Sequence, residues 1–90
     1  MRVEGKTFRD TRLDRVLTAE DHNEELRFTK RLENCLIKIC HDLNVSAPLW
    51  MSKNTHEFAC WHQTVFSAEQ FMEEVPFSRL QIKWIDDGRE

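Results

Sequence analysis

Cys35, Cys40, Cys60, His41, His56 and His62 gather the soft ligands and candidate nucleophiles in the middle of the chain. Two chemistries use such groups: zinc ligation, and attack by a thiolate whose proton a nearby imidazole removes. On a helix, Cys35 and Cys40 stand about 140° apart around the axis, so one ion is not gripped by both. His56 and Cys60 are four residues apart and share a helical face, and His62 joins them only where the helix breaks. Cys60, His56 and His62 are therefore the candidate metal set. Against it stands the reading that the thiols are small core residues and the histidines surface groups, so neither metal nor cofactor is expected.

A catalytic thiol also needs a base within hydrogen-bond reach and an electropositive setting, which spacing alone does not establish. No GxSxG, P-loop, HExxH or Gly-rich dinucleotide fingerprint occurs, and two glycines do not build a phosphate cradle. No catalytic residue is assigned. A small Cys/His-dependent enzyme using Cys60 with His56 or His62 is the second alternative to the reading below.

Binding chemistry has two further sources. Trp50, Trp61 and Trp84 are large amphipathic side chains, and a domain this small is not expected to bury all three. They are the candidate partner-binding residues. Arg2, Lys6, Arg9, Arg12 and Arg15 concentrate positive charge at the amino end. Residues 1–17 hold five basic against three acidic side chains, while 18–90 hold eight against thirteen, within an overall charge of −3. Those five side chains are the candidate phosphate contacts of a nucleic-acid reading, the first alternative.

The elements that must position these groups follow from periodicity. Val3 to Arg9 alternates polar and non-polar groups, Asp10-Thr11 offers a turn, and Arg12 to Thr18 resumes, so residues 2–18 read as a β-hairpin. Gly5 marks a bulge or a close backbone approach. Phe28, Leu32, Cys35, Leu36, Ile39, Cys40 and Leu43 recur at three- and four-residue steps, predicting a long helix over 22–43 with Asn44 as its left-handed cap. Pro48 stops helix. Asn54 with Glu57 resembles a capping box for a short helix over 53–62, and Ser67 with Gln70 does so for another over 68–75, ended by Pro76. Residues 79–85 alternate like a half-buried strand.

The expected order is β-β-α-α-α-β: an α+β two-layer sandwich whose small three-stranded sheet, antiparallel or mixed, is covered by one long helix and two short ones. Residues 1–90 form one domain. The 40% apolar and 32% charged composition is globular, and the chain lacks linkers, repeats and any apolar run long enough for a membrane span. Three cysteines without CxxC spacing favour reduced thiols, and the amino end carries Arg2, Glu4 and Lys6 in place of an apolar signal, so a cytoplasmic protein is expected.

The stretches Ile39 to Leu43, Pro48 to Phe58, Thr64 to Phe71 and Phe77 to Ile82 resemble a group of small bacterial proteins of unknown function, across about two thirds of the chain. Members of that group typically open with a Lys-Asp-Gly-Lys turn, where this chain has Arg9-Asp10-Thr11-Arg12. The resemblance implies a compact bacterial cytosolic protein and carries no mechanism. The leading expectation is a small non-enzymatic protein-interaction module, homodimeric or with another protein partner, that presents a β-edge and exposed aromatic side chains.

Overall fold

The alternation read in the hairpin and at the carboxyl end sets the sheet. In the computed structural model, which describes residues 1–85, β1 (Arg2–Arg9) pairs antiparallel with both β2 (Arg12–Glu20) and β4 (Arg79–Ile85). The fourth strand, β3 (Gln63–Ser67), pairs antiparallel with β4, giving the order β2-β1-β4-β3. Val3, Gly5 and Thr7 of β1, Leu80 and Ile82 of β4, and Thr64 and Phe66 of β3 form the buried face. Helix α1 (Phe28–Leu43) lies across β1 and β2, and α2 (Ser52–Trp61) lies across β3.

Every buried residue of α1, namely Leu32, Cys35, Leu36, Ile39, Cys40 and Leu43, belongs to the stripe expected from periodicity. Asn44 closes the helix in the left-handed conformation at φ 63°. Gly5 is a close approach: a Cβ there would fall 2.9 Å from Ile39 Cγ2. A side chain at position 5 would force Ile39 to shift.

Four expectations need correction. The sheet has four strands, because residues 63–67 form β3 between two segments both read as helix. Its Thr64 and Phe66 point inward, and Asn54 of α2 donates to Thr64 Oγ1 at 2.7 Å and to the Val65 carbonyl at 3.1 Å. Residues 68–75 form only a single 3-10 turn, Ala68–Gln70. The Gln70 side chain does accept from the Ser67 N–H (3.1 Å), but its amide reaches out to the Leu49 carbonyl and Asn54 Oδ1, both at 3.0 Å. Those bonds tie the turn to another segment.

The long helix starts at Phe28, not 22. The Asp21 side chain accepts from the Asn23 N–H and the Asn23 side chain from the Glu25 N–H, each at 3.0 Å, so local side-chain turns replace the first helical turns. In α2, Met51 occupies the cap position, and Asn54 sits inside the helix with Oδ1 accepting from the Met51 N–H at 2.9 Å.

The sheet's two edges are modified along their length. On β3 the Val65 carbonyl also accepts from Lys53 Nζ at 3.3 Å. On β2 the register shifts beside Asp14, and Lys38 Nζ donates to the Glu20 carbonyl at 2.6 Å. A bulge and a covering lysine are common guards against strand addition.

Candidate functional site

Because α1 covers β1 and β2 while α2 covers β3, a groove opens between the helices over β4. Its volume is about 690 Å³, within the usual range of ligand pockets. Phe28, Leu32 and Leu36 of α1 form one wall, Trp50 and Pro48 of the connection and Phe58 of α2 the other, and Trp84 of β4 lies at the base. The exposed alanines Ala47 and Ala59 stand on its sides, with Thr29, Glu33, Thr55 and His62 as its polar members.

The aromatic side chains of this groove support one another. The Trp84 ring meets Phe28 edge-on at 5.0 Å, Phe28 lies 6.1 Å from Phe58, and Trp50 lies 6.4 Å from Phe58 and 5.5 Å from Phe66. Tilted and edge-to-face contacts of this kind fix ring orientation. The indole Nε1–H of Trp50 donates to Thr55 Oγ1 at 2.8 Å, so the apolar wall carries no unmet indole donor at that point. Trp50, Trp84 and Phe28 remain half-buried, and Ile37, at 47% exposure, extends the apolar lining toward solvent.

Beneath α2, a polar network holds this wall in place. Asn54 and Thr64 are buried, and Thr64 Oγ1 donates to Glu57 Oε1 at 2.6 Å. That bond, partly opposed by desolvation, holds the Glu57 carboxyl below its usual range.

The structure sorts the sequence-derived candidates. Trp50 and Trp84 come together in the groove, whereas Trp61 lies outside its lining, 61% exposed. His62 terminates α2 in the left-handed conformation (φ 58°) and turns its ring to within 5.0 Å of Trp84. It thereby parts from His56 and Cys60, whose Nε2 and Sγ stand 3.8 Å apart on another face of α2. Among the described residues, no three His, Cys, Asp or Glu side chains converge as metal ligands. Cys35 and Cys40 are core residues, and burial pushes the Cys40 thiol up to about 11.

The five basic side chains of the hairpin do not form one patch. Arg2 and Lys6 alternate with buried Val3 and Gly5 and so lie on the open sheet face, close to Glu20 (3.9 Å) and Glu4 (3.8 Å) respectively. Arg15 stands opposite Thr7, on the helix side, and Arg9 pairs with Asp14 at 3.3 Å. Arg12 pairs across the turn with Arg9.

Phe28, Leu32, Leu36 and Phe58 were legible only as core. Helical spacing predicts that a face is apolar, and it does not show that a neighbouring helix leaves part of that face open.

The class defined by these features is a two-layer α+β domain with a four-stranded antiparallel sheet and an aromatic groove between its helices. Comparison with protein families, curated proteins and solved structures found no match.

Proposed function

We propose that this protein is a non-enzymatic interaction module that receives the apolar face of a short amphipathic helix from a partner protein between α1 and α2. The observation that carries the reading is the aromatic groove over β4, which the described residues leave open. Its α1 wall runs from Phe28 to Ile37, about 14 Å at 1.5 Å per residue, which matches two to three turns of a docked helix. Among the described residues Glu33 is the one carboxylate of the lining, so the partner segment is expected to carry Lys or Arg beside its apolar anchors.

The alternatives have less support. A phosphate backbone calls for clustered basic groups, and those of the hairpin are divided between faces and partly paired with acids. His56 has no third group orienting it among the described hydrogen bonds, as a general base usually requires.

Selection from a displayed library of amphipathic helical peptides tests the reading, with binding read by tryptophan fluorescence. Ala59→Arg and Ala47→Arg fill the groove from opposite sides at exposed positions, so both should abolish binding of selected peptides while leaving circular dichroism unchanged. Peptides that bind both variants as well as the parent protein would overturn the proposal. So would saturable binding of small apolar probes in the absence of any peptide binder.

A further inference from the structure

At the end of the groove beside Phe28, His62 is held in a conformation that costs energy. It ends α2 at φ 58° and ψ 27°, in the left-handed region, where glycine fits more easily than a residue with a Cβ. Its backbone is fixed on both sides: the N–H donates to the Phe58 carbonyl at 2.9 Å, and the carbonyl accepts from the Trp84 N–H at 2.8 Å. The imidazole is thereby set in the groove lining, 5.0 Å from the Trp84 ring, which itself lies 5.0 Å from Phe28. An outlier of this kind at a binding surface points to a use for the side chain.

Two other polar groups of the lining are already engaged within the chain. Thr55 Oγ1 accepts from the Trp50 indole at 2.8 Å, and Glu33 Oε1 accepts from Lys30 Nζ at 3.3 Å. The His62 ring nitrogens and the Trp84 indole N–H have no hydrogen-bond partner among the described residues. An indole N–H only donates, so one group that serves both rings must be an acceptor. A carboxylate offers two oxygens and forms charge-assisted bonds, which are stronger than neutral ones. In an apolar groove, a few placed polar groups fix the orientation of what binds.

Resting on the helix-binding reading of the groove, we infer that His62 selects the partner: a side-chain carboxylate of the docked helix accepts hydrogen bonds from the His62 imidazole and the Trp84 indole. Glu33 stands five residues along α1 from Phe28, about 7.5 Å at 1.5 Å per residue. The basic residue that Glu33 attracts should therefore lie about four or five positions from that carboxylate on the partner helix. The two charges together set which way the helix lies in the groove.

Peptides selected on the parent protein from the amphipathic-helix library test the inference. They should carry Asp or Glu at one position in common, and replacing that residue by alanine should weaken binding about tenfold. His62→Gly suits the left-handed position, so its circular dichroism should be unchanged, and it should bind the acidic and alanine peptides alike, at the weaker affinity. Equal binding of the two peptides by the parent protein, or a tenfold difference that persists in His62→Gly, would overturn the inference and leave the groove reading in place. Failure to select any peptide, or peptides that bind Ala59→Arg and Ala47→Arg as well as the parent protein, would overturn the groove reading and the role of His62 with it.

Discussion

Truncating Asn54 to alanine is expected to be among the most costly single substitutions, because this fully buried amide joins α2, β3 and the 3-10 turn. Its Oδ1 accepts from the Met51 N–H at 2.9 Å and from Gln70 Nε2 at 3.0 Å; its Nδ2 donates to Thr64 Oγ1 at 2.7 Å and to the Val65 carbonyl at 3.1 Å. Removing a bond of this kind costs about 0.5–1.5 kcal/mol, more where a buried group is orphaned. Three partners keep a second contact, since Thr64 still reaches Glu57, Gln70 still reaches Leu49 and Val65 still meets Lys53. The expected loss for Asn54→Ala is therefore about 3 kcal/mol, or a fall in Tm of roughly 12–24 °C for a domain of this size.

Asn54→Asp separates hydrogen bonding from packing. It keeps the shape but sets an anionic oxygen against the Val65 carbonyl, so at neutral pH it should be at least as destabilising as alanine. Urea denaturation followed by tryptophan fluorescence measures both variants. A loss below about 1 kcal/mol for Asn54→Ala, or an aspartate clearly milder than alanine, would refute the reasoning.

Other outcomes follow from the same contacts. Gly5→Ala should cost about 1–3 kcal/mol by pressing on Ile39, and in a double-mutant cycle Ile39→Ala should recover part of that cost; strict additivity would contradict the close approach. In the native protein a thiol reagent should modify Cys60 rapidly and spare Cys35 and Cys40, whose thiols burial holds above their ordinary range, with all three reacting after denaturation. Rapid labelling of more than one thiol would contradict this.

Glu57 is held below its usual range chiefly by the Thr64 hydroxyl, so the stability it contributes is present above the ordinary carboxylate range and is lost as pH falls through the lowered value. Glu57→Gln should therefore flatten the acid limb of a plot of urea midpoint against pH. An unchanged limb would show that this carboxylate is not coupled to folding.

Much of the scaffold was legible in residue order. Alternation in Val3 to Arg9 and Leu80 to Ile85 marked two central strands, and three-and-four spacing from Leu32 to Leu43 marked the buried stripe of α1. What escaped were outcomes decided by contacts between distant segments. Gln63 to Ser67 is short, and only its bonds to Asn54 and its pairing with β4 distinguish it from a connection between helices. The apparent helix after Ser67 stops because Gln70 bonds to Leu49 and Asn54.

The same reasoning applies to the sites. Trp50 and Trp84 were visible as candidate contact residues, but their convergence depends on β4 lying beneath the gap between two helices. The His56–Cys60 spacing was equally visible, while the departure of His62 from that pair follows from the left-handed end of α2.

The central claim is most directly tested by isotope-edited NMR of the protein bound to a peptide selected for it. Intermolecular NOEs should connect the peptide's apolar side chains with the methyl groups of Leu32 and Leu36 and the rings of Phe28, Trp50, Phe58 and Trp84. NOEs confined to the open sheet face or to the β2 edge, with those groove resonances unchanged, would contradict the account.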